Sequence, residues 1–506
     1  MKPSFFSCSP SSSSSTTTAA LFAATGIAAT AALQFQNTPL YSSYSFNALE
    51  HLAGNSPYFE PVDTPGRQPD PPRGCSVTRA AYLVRHAAIN ANDFDYEQYL
   101  GPFLRKLGNS SSSGDSRAGW AAASPSLAFL ASWEPPSFSE QEKLTRTGKV
   151  EAAQLGLSLS YRYPGLRLPR RVWTSTAERT VESAKGLARG LEVDDGSIGV
   201  VEVYEGKESG ADSLTPYKSC KGYASDAGSD KQRAYVEAYT KPIVDRLNQD
   251  VARASGPAKL DFNFTTEDVV AMQALCGYET VIRGSSPFCS TDLFDPDEWL
   301  QYEYGQDIQY HYNVGYGSRV AGAIGFPWLN ATLGLLSSDA DVQQDMYVSF
   351  THRELPPAVL VAMGLFNNSR FSGADDVNAT MPLDQVNHGR AWVSSRILPF
   401  LANIAIERMN CSSPSSSSPS SSSSARNDSS STTFYRVLVN RAPQVLPGCL
   451  DGPGQSCSAD GLRDFVRQRE ALFGGFSDIC GNTYKNSTDL VTFYTDASKN
   501  GTTGDK

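Results

Sequence analysis

Past its first three dozen residues, the sequence has no apolar run long enough to span a bilayer, so no stable membrane span is expected there. It has no Gly-x-Ser-x-Gly elbow and no Gly-Lys-Ser/Thr loop, which leaves serine-hydrolase and nucleotide-binding readings without support. Positive charge is not in excess: 43 Lys and Arg stand against 53 Asp and Glu, a formal net charge of −10. That balance argues against general nucleic-acid binding, although a local basic groove is compatible with it. There is no Cys-x-x-Cys pair and no convincing cluster of metal ligands, so neither a metal nor a cofactor is expected. No internal repeat is found, and nothing indicates an oligomeric state. Charge itself is scarce at the start: Lys2 is the only charged residue among the first 49.

That uncharged start has its own reading. A Ser/Thr tract over 11–18 precedes a moderately apolar stretch from Ala19 to Leu33, and Ala29-Thr30-Ala31 fits a small-x-small cleavage signal. Residues 1–31 therefore read as a secretory signal. A disordered tail or weak membrane anchor is the competing reading, because Ala, Thr and Gly are poor apolar material. Removing the leader removes Cys8 and leaves an even set, Cys75, Cys220, Cys276, Cys289, Cys411, Cys449, Cys457 and Cys480, as in a disulfide framework. Asn-x-Ser/Thr sequons stand at Asn109, Asn263, Asn330, Asn367, Asn378, Asn410, Asn427, Asn486 and Asn500. Together these features predict a secreted glycoprotein, whether extracellular, in the cell wall or vacuolar.

A chain of 506 residues is too long for one small core and suggests two or three lobes. Residues 32–75 are rich in Pro, Ser and Asn and read as an irregular arm. Then Tyr82-Leu83-Val84, a short apolar run, stops abruptly at Arg85-His86, followed by small residues. A buried strand ending there sets a cation and an imidazole where open α/β sheets hold their ligands. Apolar spacing predicts a helix from near Thr145 to Arg162, and Arg171 to Ser175 reads as a second strand. Ala177 to Leu191 turns helical, which puts Arg179 in a first helical turn, where free N–H groups favour an anion. From 204 to 336 helices dominate (232–254, 266–277, 295–310) and read as an inserted lobe. Met346 to Thr351 is again a strand, ending at His352-Arg353-Glu354 before a helix opened by Pro356-Pro357. Ala391 to Met409 is expected to be a helix broken at Pro399. Residues 412–433 form a Ser/Pro tract without the apolar content to fold, and Phe434 to Val439 resumes as a strand. The bland alternative for the charged residues is a solvated turn at Arg85-His86 and a surface Arg179.

The two histidine-bearing strand ends, with Arg179 between them, resemble the histidine phosphatase superfamily, and more narrowly its secreted fungal acid phosphatases and phytases. Arg85-His86 falls where that family carries Arg-His-Gly-x-Arg-x-Pro. Leu144-Thr145-Arg146-Thr147-Gly148 is similar to its Leu-Thr-x-x-Gly element. Arg171 to Ser175 with Arg179, Ser183 and Ala184 resembles its second-arginine segment. Ser286 to Cys289, Glu298, Trp299, Tyr302 and Gly315-Tyr316-Gly317 look like its helical lobe, and Val348 to His352 with Gly364-Leu365-Phe366 like its second-histidine segment. The resemblance runs from about Cys75 to Cys480.

It implies a phosphoglycerate mutase-like α/β fold: a central, mostly parallel sheet flanked by helices, with an inserted all-helical smaller domain. The limits would be 76–203 and 337–506 for the α/β domain and 204–336 for the insertion. It implies a small phosphorylated substrate and two catalytic residues, His86 as the nucleophile that becomes phosphohistidine and Glu354 as the proton donor. Arg85, Arg179 and His352 would hold the phosphoryl oxygens. It also implies pairing of Cys75 with Cys411, Cys220 with Cys480, Cys276 with Cys289 and Cys449 with Cys457. His51, His311 and His388 read as structural or surface residues.

The departures matter. Ala87 replaces the motif's glycine, Ile89 its second arginine and Ala91 its proline. A charged hydrogen bond to an anion contributes about 1.5–3 kcal/mol. The lost arginine thus costs roughly 10- to 100-fold in transition-state binding unless replaced. Where most of the family has His-Asp, this chain has His352-Arg353-Glu354; the related multiple inositol polyphosphate phosphatases carry His-Ala-Glu, which gives Glu354 the acid's role. Arg353 has two readings: it supplies the charge lost at Ile89, or it points to solvent or pairs with an acid of the helical lobe. The expected function is an acid phosphatase on phosphate monoesters, with inositol phosphates next. The alternative is a catalytically impaired glycoprotein of the same fold that binds an anionic ligand without turnover.

Overall fold

The computed structural model describes residues 46–60, 69–109, 121–122, 124–191, 197–255, 262–338, 344–371, 380–412 and 431–496. The expected leader at 1–31, most of the Ser/Pro tract and the sequons at Asn378, Asn427 and Asn500 lie outside the described residues.

One sheet organises the chain. Its strands are β1 (Cys75–Arg85), β2 (Arg171–Ser175), β3 (Gly199–Val203), β4 (Met346–Thr351), β5 (Asn403–Ser412), β6 (Ser431–Val439), β7 (Ala442–Gln444) and β8 (Cys457–Ser458). They lie in the order β3-β2-β4-β1-β5-β6-β7, with β8 beside β6. The α/β expectation holds, and the sheet itself is mixed: β3, β2, β4 and β1 are parallel, whereas β5 to β8 join antiparallel. β1 is buried from Arg79 to Arg85 because β4 and β5 flank it and layers cover both faces. The four parallel strands all end at one edge of the sheet, at Arg85, Ser175, Val203 and Thr351.

The helix expected over 391–409 is not formed as such. Ser394–Ile397 makes one short turn, and Asn403–Ser412 is β5, paired along its length with β1 and β6. The physical reason is Glu407, which sits fully buried in mid-strand. It accepts from Arg162 Nη2 at 2.7 Å, Tyr163 OH at 2.6 Å and Arg436 Nε at 2.9 Å. These cations hold its carboxylate below the usual range even though burial alone would push it up.

Helices Arg146–Arg162 and Glu178–Leu191 pack together beside the parallel half. Thr145 caps the first of them, its Oγ1 accepting from Gly148 N at 3.0 Å. On the other face, Ala321–Ser337 and Leu355–Met363 lie against the sheet, with Ile324, Trp328 and Leu355 packed among Leu83, Trp173 and Tyr347. The helical lobe comprises Ser229–Ser255, Thr266–Arg283 and Pro296–Asn313, the last two opened by capping boxes at Thr265/Asp268 and Asp295/Glu298.

The core of this lobe does not follow the expected 204–336 limits. It takes in Leu49, Phe103 and Leu130 from before β2, while Ala321–Ser337 belongs to the sheet's own core. Disulfides join Cys75 to Cys411, Cys220 to Cys480, Cys276 to Cys289 and Cys449 to Cys457, the four pairs that the resemblance implies. No helix among the described residues is long and apolar enough to cross a membrane.

Candidate active site

The parallel register places the two histidines side by side. Arg85 pairs with Thr351, and His86 N donates to Thr351 O at 2.9 Å, so His86 and His352 leave adjacent strand ends together. Their ring centroids are 5.8 Å apart.

Each group at the end of β1 is held by backbone. Arg85 is buried and donates from Nη1 to the carbonyls of Gly54 and Leu398, while its guanidinium lies 4.6 Å over the Phe400 ring. Burial lowers its pKa to about 10, which keeps it cationic across acidic and neutral pH. His86 Nδ1 lies 2.9 Å from Ala87 O, an acceptor only, so Nδ1 carries the hydrogen and Nε2 the lone pair. Burial first, then Arg85, Arg179 and His352, hold the His86 pKa well below that of a free imidazole. The Nε2 lone pair is therefore kept to lower pH than that of a free imidazole.

The following loop is fixed from two sides. Ser183 Oγ accepts from Ala87 N at 2.9 Å and donates to Arg179 O at 2.6 Å, which ties the Arg179 helix to the motif. Thr145 N donates to Ala88 O at 3.0 Å, and a Cβ on Gly148 would stand 2.2 Å from that same carbonyl. Only glycine lets the helix start come so close, which gives the Leu-Thr-x-x-Gly element its physical meaning. Ile89 is buried in an apolar cluster with Leu144 and Val281 and pairs its backbone with Leu144. It supplies no charge.

The remaining residues enter from β2, β3 and β4. Arg179 forms an ion pair with Glu142, which also accepts from Asn92 Nδ2 and, at 3.3 Å, from Asp93 N. Glu142 sits at φ 65°, a backbone conformation a non-glycine residue adopts at a cost of about 1–2 kcal/mol. His352 Nε2 meets Ser175 Oγ at 3.2 Å and Glu205 Oε1 at 3.8 Å. Burial lowers the His352 pKa, with Glu205 opposing. Burial would raise Glu205, but His352 and Lys218 override it and hold it ionised. Glu354 lies beside Arg353, whose Nε is 3.4 Å from its Oε1. Burial pushes this carboxyl up, yet Arg353 and His352 bring it below the usual range. Arg353 is half-buried and faces Tyr310, Glu354, Asp95 and Tyr278.

Three buried nitrogens here have no hydrogen-bond partner among the described residues: Arg85 Nε, Arg179 Nε and His352 Nδ1. They come from three elements, and Arg85, Arg179 and His352 all act electrostatically on His86. The other histidines lie elsewhere. His51 pairs with Glu303 at 3.3 Å, His311 is buried against Tyr312 and Trp392, and His388 is exposed. The one grouping of ligand-type side chains among the described residues, Cys449, Asp451 and Cys457, has both sulfurs tied in a disulfide.

Sequence reading missed Glu205 and Glu142, and placed Ser183 in the second-arginine segment without its tie to Ala87. Glu205 carried a usable signal: it follows the end of β3, a further parallel strand whose exit meets a charged residue.

The chain matches the model of the histidine phosphatase superfamily (branch 2) over residues 114–440, a range that begins after the Arg85-His86 strand. It is 28% identical over 498 residues to the Phytase PHO112 of Candida albicans, covering 93% of this chain and 95% of that one. It is 28% identical over 483 residues to the Acid phosphatase PHO1 of Komagataella pastoris, covering 91% and 92%. The crystal structure of the phytase from D. castellii superposes with a TM-score of 0.74 at 25% identity, covering 90% of this chain and 91% of that one. A multiple inositol polyphosphate phosphatase of Bifidobacterium longum, solved with inositol hexasulfate, shares the fold at TM-score 0.53 and 12% identity, covering 82% and 97%.

Proposed function

The chain belongs to the histidine phosphatase superfamily (branch 2), and from that premise we propose that it is an acid phosphatase that hydrolyses phosphate monoesters through a phosphohistidine on His86. The carrying observation is that Arg85, Arg179 and His352 each keep a buried nitrogen without a hydrogen-bond partner among the described residues and all act electrostatically on His86, whose Nδ1 is turned to a carbonyl. Nε2 attacks phosphorus, and the ester oxygen leaves with a proton from Glu354. The Glu354 carboxylate then takes a proton from water as the water displaces the imidazole from phosphorus. This splits one hard displacement into two easier ones. In the free protein Arg353 and His352 favour the ionised Glu354. A phosphoryl dianion set against it adds like charge and restores its proton affinity, so turnover belongs to acidic pH. His86 tolerates that pH because its own pKa is depressed.

Four disulfides are the chemistry of an oxidising compartment, and the finer assignment is a secreted or vacuolar glycoprotein. Of the sequon asparagines, Asn263, Asn367 and Asn486 are exposed and are the proposed glycan carriers. The binding-only alternative has Ile89 in its favour; the convergence of Arg85, His86, Arg179, His352 and Glu354 on one site opposes it. The test is hydrolysis of 4-nitrophenyl phosphate by the secreted protein from pH 3 to 8 beside His86→Ala. The expected result is activity in acid that falls at least about 1,000-fold in the variant, as for loss of a nucleophile. Activity equal in both, or absent from both, rejects the mechanism.

A further inference from the structure

Two backbone carbonyls aim the Arg85 guanidinium, Gly54 O and Leu398 O, and neither belongs to the sheet. One lies in the N-terminal arm and the other just past the short turn Ser394–Ile397. Given the phosphatase reading above, we propose that Asp307 and Glu303, on helix Pro296–Asn313 of the helical lobe, are positioning residues for the reaction: through Ser394 and Ser395 they set both carbonyls and so fix Arg85 for the phosphoryl group.

The turn is gripped first. Asp307 is fully buried and uses both carboxylate oxygens. Oδ1 accepts from Ser394 N at 2.7 Å and from the Ser394 hydroxyl, and Oδ2 accepts from Arg390 Nε at 2.6 Å. Arg390 reaches on from Nη2 to Glu303, one turn earlier on the same helix, at 2.8 Å. Ser394 O then accepts from Leu398 N at 2.8 Å, so the residue that Asp307 grips stands one turn before the carbonyl that holds Arg85.

The arm is held from the same side. Ser395 Oγ accepts from Ala53 N at 2.7 Å, one residue before Gly54, and its hydroxyl donates to Glu303. Glu303 also pairs with His51 of the arm at 3.3 Å. The helix meets Gly54 directly as well: a Cβ there would stand 2.6 Å from Tyr310 OH. Two residues on, Ser56 O accepts from Phe400 N at 3.0 Å, beside the ring on which the Arg85 guanidinium rests. Both carbonyls thus trace back to one helix of the other lobe.

Stability alone does not account for such a cluster. Burying two carboxylates with a guanidinium carries a desolvation cost that offsets much of their attraction. What the cluster supplies is position. Arg85 forms no ion pair among the described residues, so its direction follows the two carbonyls, and a shift in them moves the cation. A misplacement of about 1 Å at a reacting centre costs on the order of 100-fold in rate.

The test uses the full secreted chain with Ser395→Ala and Asp307→Asn, each alone and combined with Arg85→Lys. Inorganic phosphate binding is read by calorimetry in the single variants, and kcat/KM for 4-nitrophenyl phosphate in all of them. Ser395→Ala leaves every charge in place and carries the test should Asp307→Asn fail to fold. Each single variant should bind phosphate about 10-fold more weakly and lose about 10-fold in kcat/KM, as for a charged hydrogen bond partly lost. In the Arg85→Lys background the same substitutions should change kcat/KM by less than about 2-fold, because the group they act through is gone. A residue that only supports the fold would lower kcat/KM equally in both backgrounds. That result, or unchanged phosphate binding in Ser395→Ala, overturns the positioning role while leaving the phosphatase reading intact. A wild-type protein that neither binds phosphate nor hydrolyses 4-nitrophenyl phosphate overturns both.

Discussion

Two strand ends build the site, and they hold their charges differently. At the end of β1 the partners are backbone: carbonyls of Gly54 and Leu398 for Arg85, the carbonyl of Ala87 for His86. Arg85 makes no ion pair among the described residues and keeps its full charge for a ligand. At the end of β4 the partners are other titratable side chains: Glu205 for His352, Glu354 for Arg353. The first end is a backbone-held cation beside an imidazole whose pKa is depressed, in the proposed mechanism the anion cradle and the nucleophile. The second is a set of mutually balanced charges, which is where a proton can be gained or lost at modest cost. Where the motif's arginine would stand, the rigid end carries Ile89, and Arg353, paired with Glu354, stands at the titratable end.

The sharpest way to break this contrast is Glu354→Gln. If β4 supplies the proton and β1 only the cradle and nucleophile, kcat for an alkyl phosphate falls about 10²–10⁴-fold with KM little changed. The loss on 4-nitrophenyl phosphate is smaller, because its leaving group needs less help. Equal losses on both esters would move Glu354 from proton donor to structural support. Arg353→Ala is gentler. Removing the cation should raise KM by about 10-fold if it replaces the missing arginine's charge. It should also let the Glu354 pKa rise, so that the alkaline limb of the kcat profile moves to higher pH. A KM and a pH profile both unchanged would return Arg353 to a bystander.

The parts of this site legible in the sequence were those written locally. A short apolar run that stops at Arg85-His86 or His352 announces itself, because a parallel strand buried on both faces needs such a run. Thr145 with Gly148, and Arg179 just inside a helix, are local too. What could not be read is set by partners far along the chain. Glu407 looks like a surface helix residue until Arg162 and Arg436 are brought to it across 245 and 29 residues. Glu205 gains its role only from His352, and Glu142 only from Arg179. The carbonyl of Gly54, in an arm that reads as irregular, orients Arg85, which no side-chain pattern could announce.

The helices behind the two strand ends differ in the same sense, and this gives the prediction with the smallest effect on turnover. Leu355–Met363, behind β4, buries apolar residues throughout. Arg146–Arg162, whose first turn clamps Ala88, buries Glu151 with its Oε2 unpartnered. Burial alone raises this carboxyl from 4.5 to about 8. In the folded chain the group is therefore protonated where the unfolded chain would ionise it. A raised folded-state pKa means that the associated stability is fully present below about pH 4.5 and is lost as pH rises toward about 8. The contribution of Glu151 should thus weaken on going from acid to neutral pH, by a few kcal/mol at most at about 1.4 kcal/mol per pKa unit. Glu151→Gln removes the titration and keeps the shape. Urea unfolding midpoints measured from pH 4 to 8 should favour the variant over the wild-type protein increasingly as pH rises, while kcat at pH 5 changes by less than about 2-fold. Parallel stability profiles would show that Glu151 finds a compensating partner, and the helix behind β1 would then be as indifferent to pH as the one behind β4.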